Sequence, residues 1–179
     1  ALAWIRMGWE DDKSGLTGTD KINTQHPVFI KKSFEYSAQY AKGKLELRDN
    51  AIETNCRKAK AFYQLVKHLK NSGVKLDGIG MQCHFNLESY ALIDSAALVA
   101  EVKKYRALGL EVYFDEVDIG SHTKVWNTQL EQKQKSEYKK LMTIALLTGV
   151  SQVHFWGLRD DDDAGWRMGE HPLLFDQNN

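Results

Sequence analysis

The sequence predicts an α/β fold with a parallel sheet, and more narrowly part of a (β/α) barrel. Three observations carry this. Helical patterns end on Gly43, Gly73, Gly109 and Gly149, and a short apolar run follows each glycine. The resulting units recur every 30 to 40 residues, and strands alternating with helices at that spacing build a parallel sheet with helical crossovers. Polar and aromatic side chains gather at the C-terminal ends of the apolar runs. In a barrel those ends converge on one mouth, where catalysis is housed.

The helices follow from their apolar spacing. Ala59, Phe62, Tyr63, Val66 and Leu69 form a stripe before Gly73. Leu98, Val99, Val102 and Tyr105 do so before Gly109, and Tyr138, Leu141, Met142 and Ala145 before Gly149. The stripe before Gly43 is sparser, with Ile30, Phe34 and Ala38. Each glycine is placed to take the left-handed conformation that caps a helix at little steric cost. The strands expected after them are Lys44 to Leu47, Leu76 to Phe85, Leu110 to Ile119 and Val150 to Leu158. A solenoid is set aside because the units share nothing beyond the glycine. An open doubly wound sheet would need a glycine-rich phosphate loop. Gly78-Ile79-Gly80 lacks the third glycine and lies inside a strand.

Composition bounds the function. The chain has 179 residues, 24 Lys+Arg against 24 Asp+Glu, 42% hydrophobic and 27% charged residues. Zero net charge argues against a nucleic-acid or anionic-membrane surface, and no apolar run approaches the ~20 residues of a membrane span. Five Trp and seven Tyr supply flat faces that suit sugar rings as well as cores. Two cysteines are too few for a disulfide framework, and Cys83 reads as a small buried residue. The opening Ala1-Leu2-Ala3-Trp4 has neither methionine nor signal pattern, so both ends are expected to be cut.

The chemistry sits at the strand ends. Alternation puts Phe114, Glu116 and Asp118 on one face of the third strand, and Gln82 and His84 on one face of the second. It turns Asp115 away from them. A histidine donating to Glu116 would orient it and favour its ionised form, which prepares a carboxylate for attack at a sugar carbon. On spacing alone, two alternatives stay open: a structural ion-pair network, and a metal site of one histidine and two carboxylates, which lacks a strong ligand signature.

Several runs resemble glycoside hydrolase family 10, the endo-β-1,4-xylanases. Gly73 to His84 is similar to that family's G-V-x-I-D-G-I-G-x-Q-x-H, and Leu110 to Ile119 to its T-E-L-D-I nucleophile strand. Phe155-Trp156-Gly157-Leu158, Gly165-Trp166-Arg167 and Pro172 to Asp176 resemble its W-G-x-x-D…S-W-R…P-L-L-F-D ending. Lys44 to Glu53 resembles K-L-Y-Y-N-D-Y-N-I-E. The motifs come in the family's order from about Val28 to Asp176.

The resemblance implies a (β/α)8 barrel of which residues 1–179 supply roughly strands 5–8, and xylan or xylo-oligosaccharide as substrate. It implies no metal or organic cofactor, and a secreted or cell-surface location. Glu116 would be the nucleophile, with His84 and Asp118 as its support. Gln82 would lie beside the scissile bond, Trp156 and Trp166 would wall the sugar site, and Arg167 would support the second tryptophan's loop. Arg48 and Asn50 stand where the family has asparagine and tyrosine, on the leaving-group side of the cleft, and Asp115 replaces its threonine. The run Asp160 to Asp163 reads as a solvated loop, since calcium loops space their ligands.

The family's acid/base glutamate, in W-D-V-V-N-E, has no match here. Residues 1–27 are expected to be the loop that follows it, and Glu10 is a poor substitute in a polar loop. The expected partner is therefore the missing N-terminal half-barrel, as a separate chain or segment of the same enzyme; a homodimer is the lesser option. A non-catalytic xylan-binding relative and another β-1,4-endoglycanase remain as alternatives.

Overall fold

Each helix and strand is set by local chemistry before packing joins them. The computed structural model describes residues 28–88, 92–123, 125–160 and 166–176. Helix α1 spans Val28–Tyr40, strand β1 Glu46–Asp49, α2 Arg57–Asn71, β2 Gly78–Met81 and β3 His84–Asn86. Then come α3 at Ser95–Arg106, β4 at Glu111–Gly120, α4 at Thr128–Thr148 and β5 at Gln152–Phe155. Side chains cap three helix starts: Cys56 Sγ accepts from the Ala59 amide, Asp94 from Ala97 and Asn127 from Leu130. These satisfy donors that the first helical turn leaves unpaired.

Gly73, Gly109 and Gly149 adopt φ of 73°, 74° and 69°, as their place after a helix requires. Gly43 does not take this conformation; it lies three residues past Tyr40, beyond the end of α1. The helical stripes are largely buried, but Ala38 and Met142 face outward. The first strand runs two residues later than the apolar letters indicate, because the polar Arg48 and Asp49 extend it.

All pairings are parallel, in the order β1, β2, β4, β5, with β3 continuing the line of β2 along the same side of β4. With β2 and β3 taken as one broken strand, each described strand lies beside its successor in the chain, with no switch point among them. That is the order of a barrel wall; a doubly wound sheet reverses direction. The core lies between the sheet and the helices, where Ile79, Met81, Val112, Phe114, Val117 and Ile119 meet Phe62, Leu65, Leu98, Val102 and Leu141.

One departure from simple alternation shapes the site. Phe114 and Val117 are both fully buried in the helix-side core, although an odd offset should put them on opposite faces. The pairing explains it. Between Phe114 and Val117 two residues intervene on β4, while one separates their partners Val153 and Phe155 on β5. This is a β-bulge, one residue inserted against a regular neighbour. The expectation that Phe114 shares a face with Glu116 and Asp118 is thus corrected: Phe114 packs on the helices. Asp115, in turn, is not turned away from Glu116. Gly80 on β2 makes room for it, since a Cβ there would fall on the Asp115 carboxylate. The run from Leu76 to Phe85 is likewise divided, at Gln82 and Cys83, into β2 and β3.

Candidate active site

The ends of β3 and β4 bring three of the expected residues together. His84 pairs in register with Asp118 across β3 and β4. Its Nδ1 lies 2.9 Å from Asp118 Oδ2, and its Nε2 lies 3.3 Å from Glu116 Oε2. With a carboxylate on each ring nitrogen, both nitrogens are best satisfied as donors, which requires the imidazolium. Burial opposes that charge, yet the hydrogen bond to Asp118 and the charges of Asp118 and Glu116 hold the imidazole above its ordinary pKa. Glu116 is mostly buried, with 13% of its side chain exposed.

Asp118 is completely buried and is held from several sides. Besides His84, its Oδ2 accepts from the Trp166 indole at 2.8 Å, and its Oδ1 from Arg167 Nη1 at 2.6 Å. Arg167 has φ of 50° and also donates to the Phe85 carbonyl at 2.8 Å, to Glu170 at 2.8 Å and to the Asn86 side chain. Its guanidinium is spent on the protein, so Arg167 fastens the segment bearing Trp166 to β3 and β4. Gln134 ties the same segment down, donating to the Ile119 and His171 carbonyls.

Two half-exposed indoles stand over this cluster. The rings of Trp156 and Trp166 lie 6.2 Å and 5.0 Å from the His84 ring and 6.3 Å from each other, in edge-on and tilted arrangements. Apolar faces beside a buried carboxylate can bind a sugar ring next to a nucleophile. Gln82 enters the site through its backbone: its carbonyl accepts the Glu116 amide at 3.1 Å.

The remaining expected residues sit elsewhere. Arg48 is half exposed, pairs with Glu46 and lies 3.6 Å from Asp115. Asn50 is turned to Lys58, which also pairs with Asp49 at 2.6 Å, so Asn50 joins a structural network beside β1 and not the Glu116 cluster. Asp160 accepts from the Leu173 amide and pairs with His171 at 3.2 Å, a structural role. Glu10, the rest of 1–27, and Asp161 to Gly165 lie outside the described residues. Among the described residues no group of three or more His, Cys, Asp or Glu is arranged to hold a metal ion, and no helix is long and apolar enough to cross a membrane.

Two residues of the site escape sequence reasoning. Asp115 is hidden by the bulge: its side chain is 1% exposed, and neither oxygen meets a hydrogen-bond donor among the described residues. Burial and the charge of Glu46 push its pKa up to about 6, against the pull of Arg48 and His154. Glu53, also buried, accepts the Cys83 amide at 2.7 Å. Its only sequence signal is its place at the end of the run beginning Lys44-Leu45.

Comparison with known proteins identifies relatives along nearly the whole chain. The chain is 36% identical over 180 residues to an endo-1,4-beta-xylanase A of Thermoanaerobacterium saccharolyticum, covering 95% of the chain and 15% of that protein. It is equally similar to an "exoglucanase XynX" of Acetivibrio thermocellus, covering 95% and 16%. Among solved structures, xylanase 10B of Thermotoga petrophila in complex with xylobiose superposes with a TM-score of 0.79 at 28% identity, covering 85% of this chain and 47% of that one. An intracellular xylanase of T. saccharolyticum gives 0.75 at 33% identity, covering 94% and 51%. The chain thus spans about half of the solved xylanase chains and a smaller share of the longer curated relatives. The model of glycosyl hydrolase family 10 matches residues 11–179. A barrel wall in sequential order, a match along nearly the whole chain and relatives above 30% identity together mean that this chain belongs to glycosyl hydrolase family 10.

Proposed function

We propose that this chain is the nucleophile-bearing part of an endo-β-1,4-xylanase, cleaving internal xylosidic bonds with retention of configuration. The observation that carries the reading is Glu116 held by His84, itself fixed by Asp118, beneath Trp156 and Trp166. In the first step the Glu116 oxygen not engaged by His84 attacks the anomeric carbon. The glycosidic C–O bond breaks, and its oxygen takes a proton from an acid/base glutamate of the N-terminal half-barrel. In the second step that glutamate deprotonates water, which displaces the ester and frees Glu116. His84 balances the carboxylate before attack, and Asp118 keeps the imidazole's charge paired once the ester has formed. Trp156 and Trp166 wall the sugar site, and Gln82 lies beside the bond that breaks. A polymeric substrate also fits action outside the cell, at its surface or as a secreted protein.

The test fuses the chain to four preceding strand–helix units that carry the W-D-V-V-N-E motif. A 2-deoxy-2-fluoro xylobioside with an activated leaving group is expected to label Glu116. Glu116→Ala is expected to lower xylan hydrolysis on the order of 10⁴-fold or more. Xylan binding without labelling would support a non-catalytic binding role instead. Because one relative is named an exoglucanase, reducing-sugar release is compared on xylan, cellulose and mannan. Faster release from cellulose or mannan would overturn the assignment of xylan.

A further inference from the structure

The site depends on an irregularity that two strands share. Cys83 is buried and has φ of 63°, a conformation that residues other than glycine rarely hold inside a sheet. It falls between Gln82 and His84, where the line of β2 breaks and β3 begins. Opposite it, β4 carries its extra residue. Met81 pairs with Phe114 and His84 with Asp118, so two residues on one side face three on the other. The break and the bulge fit together: the Glu116 amide reaches the Gln82 carbonyl at 3.1 Å and the Asp118 amide the Cys83 carbonyl at 3.4 Å. His84 meets both carboxylates as a result.

Strained backbone persists only where its surroundings hold it. The hold on Cys83 comes from another element. Its amide donates to Glu53 Oε1 at 2.7 Å, and Glu53 stands in the segment between β1 and α2, anchored by the fully buried Ile52. Across the sheet the Glu53 carboxylate accepts this amide and also feels the charge of His84. Burial raises the pKa of Glu53, so the carboxylate is retained here at a cost that a purely apolar packing residue would avoid.

We propose that Glu53 is a positioning residue: by holding the Cys83 amide it keeps the break between β2 and β3 that presents His84 to Glu116. The inference rests on the reading of Glu116 as nucleophile, but its test has a readout that turnover does not enter.

In the fused barrel, Glu53→Ala is compared with Glu53→Gln, and with Glu53→Ala combined with Cys83→Gly. His84 is titrated by NMR with labelled histidine, and kcat and KM are measured on an aryl β-xylobioside. Loss of the hold is expected to lower the His84 pKa toward its ordinary value, as the ring drifts from its carboxylates. It is also expected to reduce kcat by about ten- to a hundredfold with little change in KM. Glutamine keeps an acceptor oxygen and is expected to preserve both readouts. Glycine takes positive φ without help, so the double variant is expected to recover most of what Glu53→Ala loses. Unchanged titration and kcat in Glu53→Ala overturn the proposal, as does a loss that glutamine shares and Cys83→Gly does not restore. If Glu53→Ala does not fold, the double variant decides: failure to recover the fold and the titration overturns it. If the parent is not labelled at Glu116 while the His84 titration responds as expected, the catalytic reading fails and the positioning one stands.

Discussion

Asp118 and Asp115 are three positions apart on β4 and have opposite fates on burial. Asp118 meets the imidazole, an indole and a guanidinium, so its desolvation is offset by charge-assisted hydrogen bonds. Among the described residues Asp115 meets only Arg48 at 3.6 Å and His154 at 3.9 Å, beyond hydrogen-bond reach. With its folded pKa raised to about 6, it favours the folded state fully only below its unfolded value. That contribution is lost as pH rises through about 6, the reverse of a salt-bridged aspartate. Asp115→Asn is therefore expected to flatten the pH dependence. Relative to the parent it should gain about 2 kcal/mol between about pH 4.5 and about pH 7.5. Urea unfolding of the chain at fixed protein concentration checks this, since association would shift apparent stability. A gain that is equal at both pH values would show that Asp115 does not titrate there. The pair Glu116 and Asp118, with His84 opposite, was legible from alternation because their even spacing survives the bulge. Asp115 was not, because one inserted residue reverses the face it points to and no local letter marks the insertion.

At the scale of elements, helices and strand order were legible for a simple reason: apolar spacing and terminal glycines are local signals, and consecutive units form neighbouring strands. Gly43 shows the limit, since a glycine that follows a helix at some distance does not cap it. Contacts from distant segments were the least legible. Arg167 reaches Phe85, Asn86 and Asp118 from more than 45 positions away, and spacing says nothing about such a reach. The end of β4 is shaped for it. A Cβ on Gly120 would stand 2.5 Å from Arg167 Nη2, and the guanidinium, bonded on all sides, has little room to retreat. Gly120→Ala is thus expected to cost about 1–3 kcal/mol through overpacking, and to lower activity in the fused barrel by loosening Asp118. Gly149→Ala provides the contrast. Its added methyl meets only ordinary contact with Arg106, but its φ of 69° should cost about 1–2 kcal/mol, with activity unchanged per folded molecule. Urea midpoints with kcat on the aryl xylobioside separate the two. Equal kcat in both would detach Gly120 from the site.

The described strands form a parallel wall whose outermost members are β1 and β5. Strands β1 and β5 each pair on one side only among the described residues, and unpaired strand edges recruit other strands. Apolar side chains lie bare on the first and last helices: Tyr36 and Tyr40 on α1, Leu146 and Leu147 on α4. The face that a closed barrel would enclose carries Glu46, Arg48, Asp115 and His154, with Asp115 short of donors. A barrel of eight strands meets all three needs together, pairing the edges, covering the helices and filling the interior. A second copy of this chain could close the strand count, but it would bring Asp115 against another set of the same charges. We therefore expect the chain alone to self-associate across a range of sizes, and a stoichiometric one-to-one complex to form with an N-terminal half-barrel. Burying two edges should exceed the roughly 1,000 Å² that separates specific interfaces from incidental ones. Sedimentation velocity with and without that half measures both outcomes. A compact, monodisperse monomer on its own would mean that these margins are satisfied within the chain, and a discrete homodimer that the barrel closes on itself.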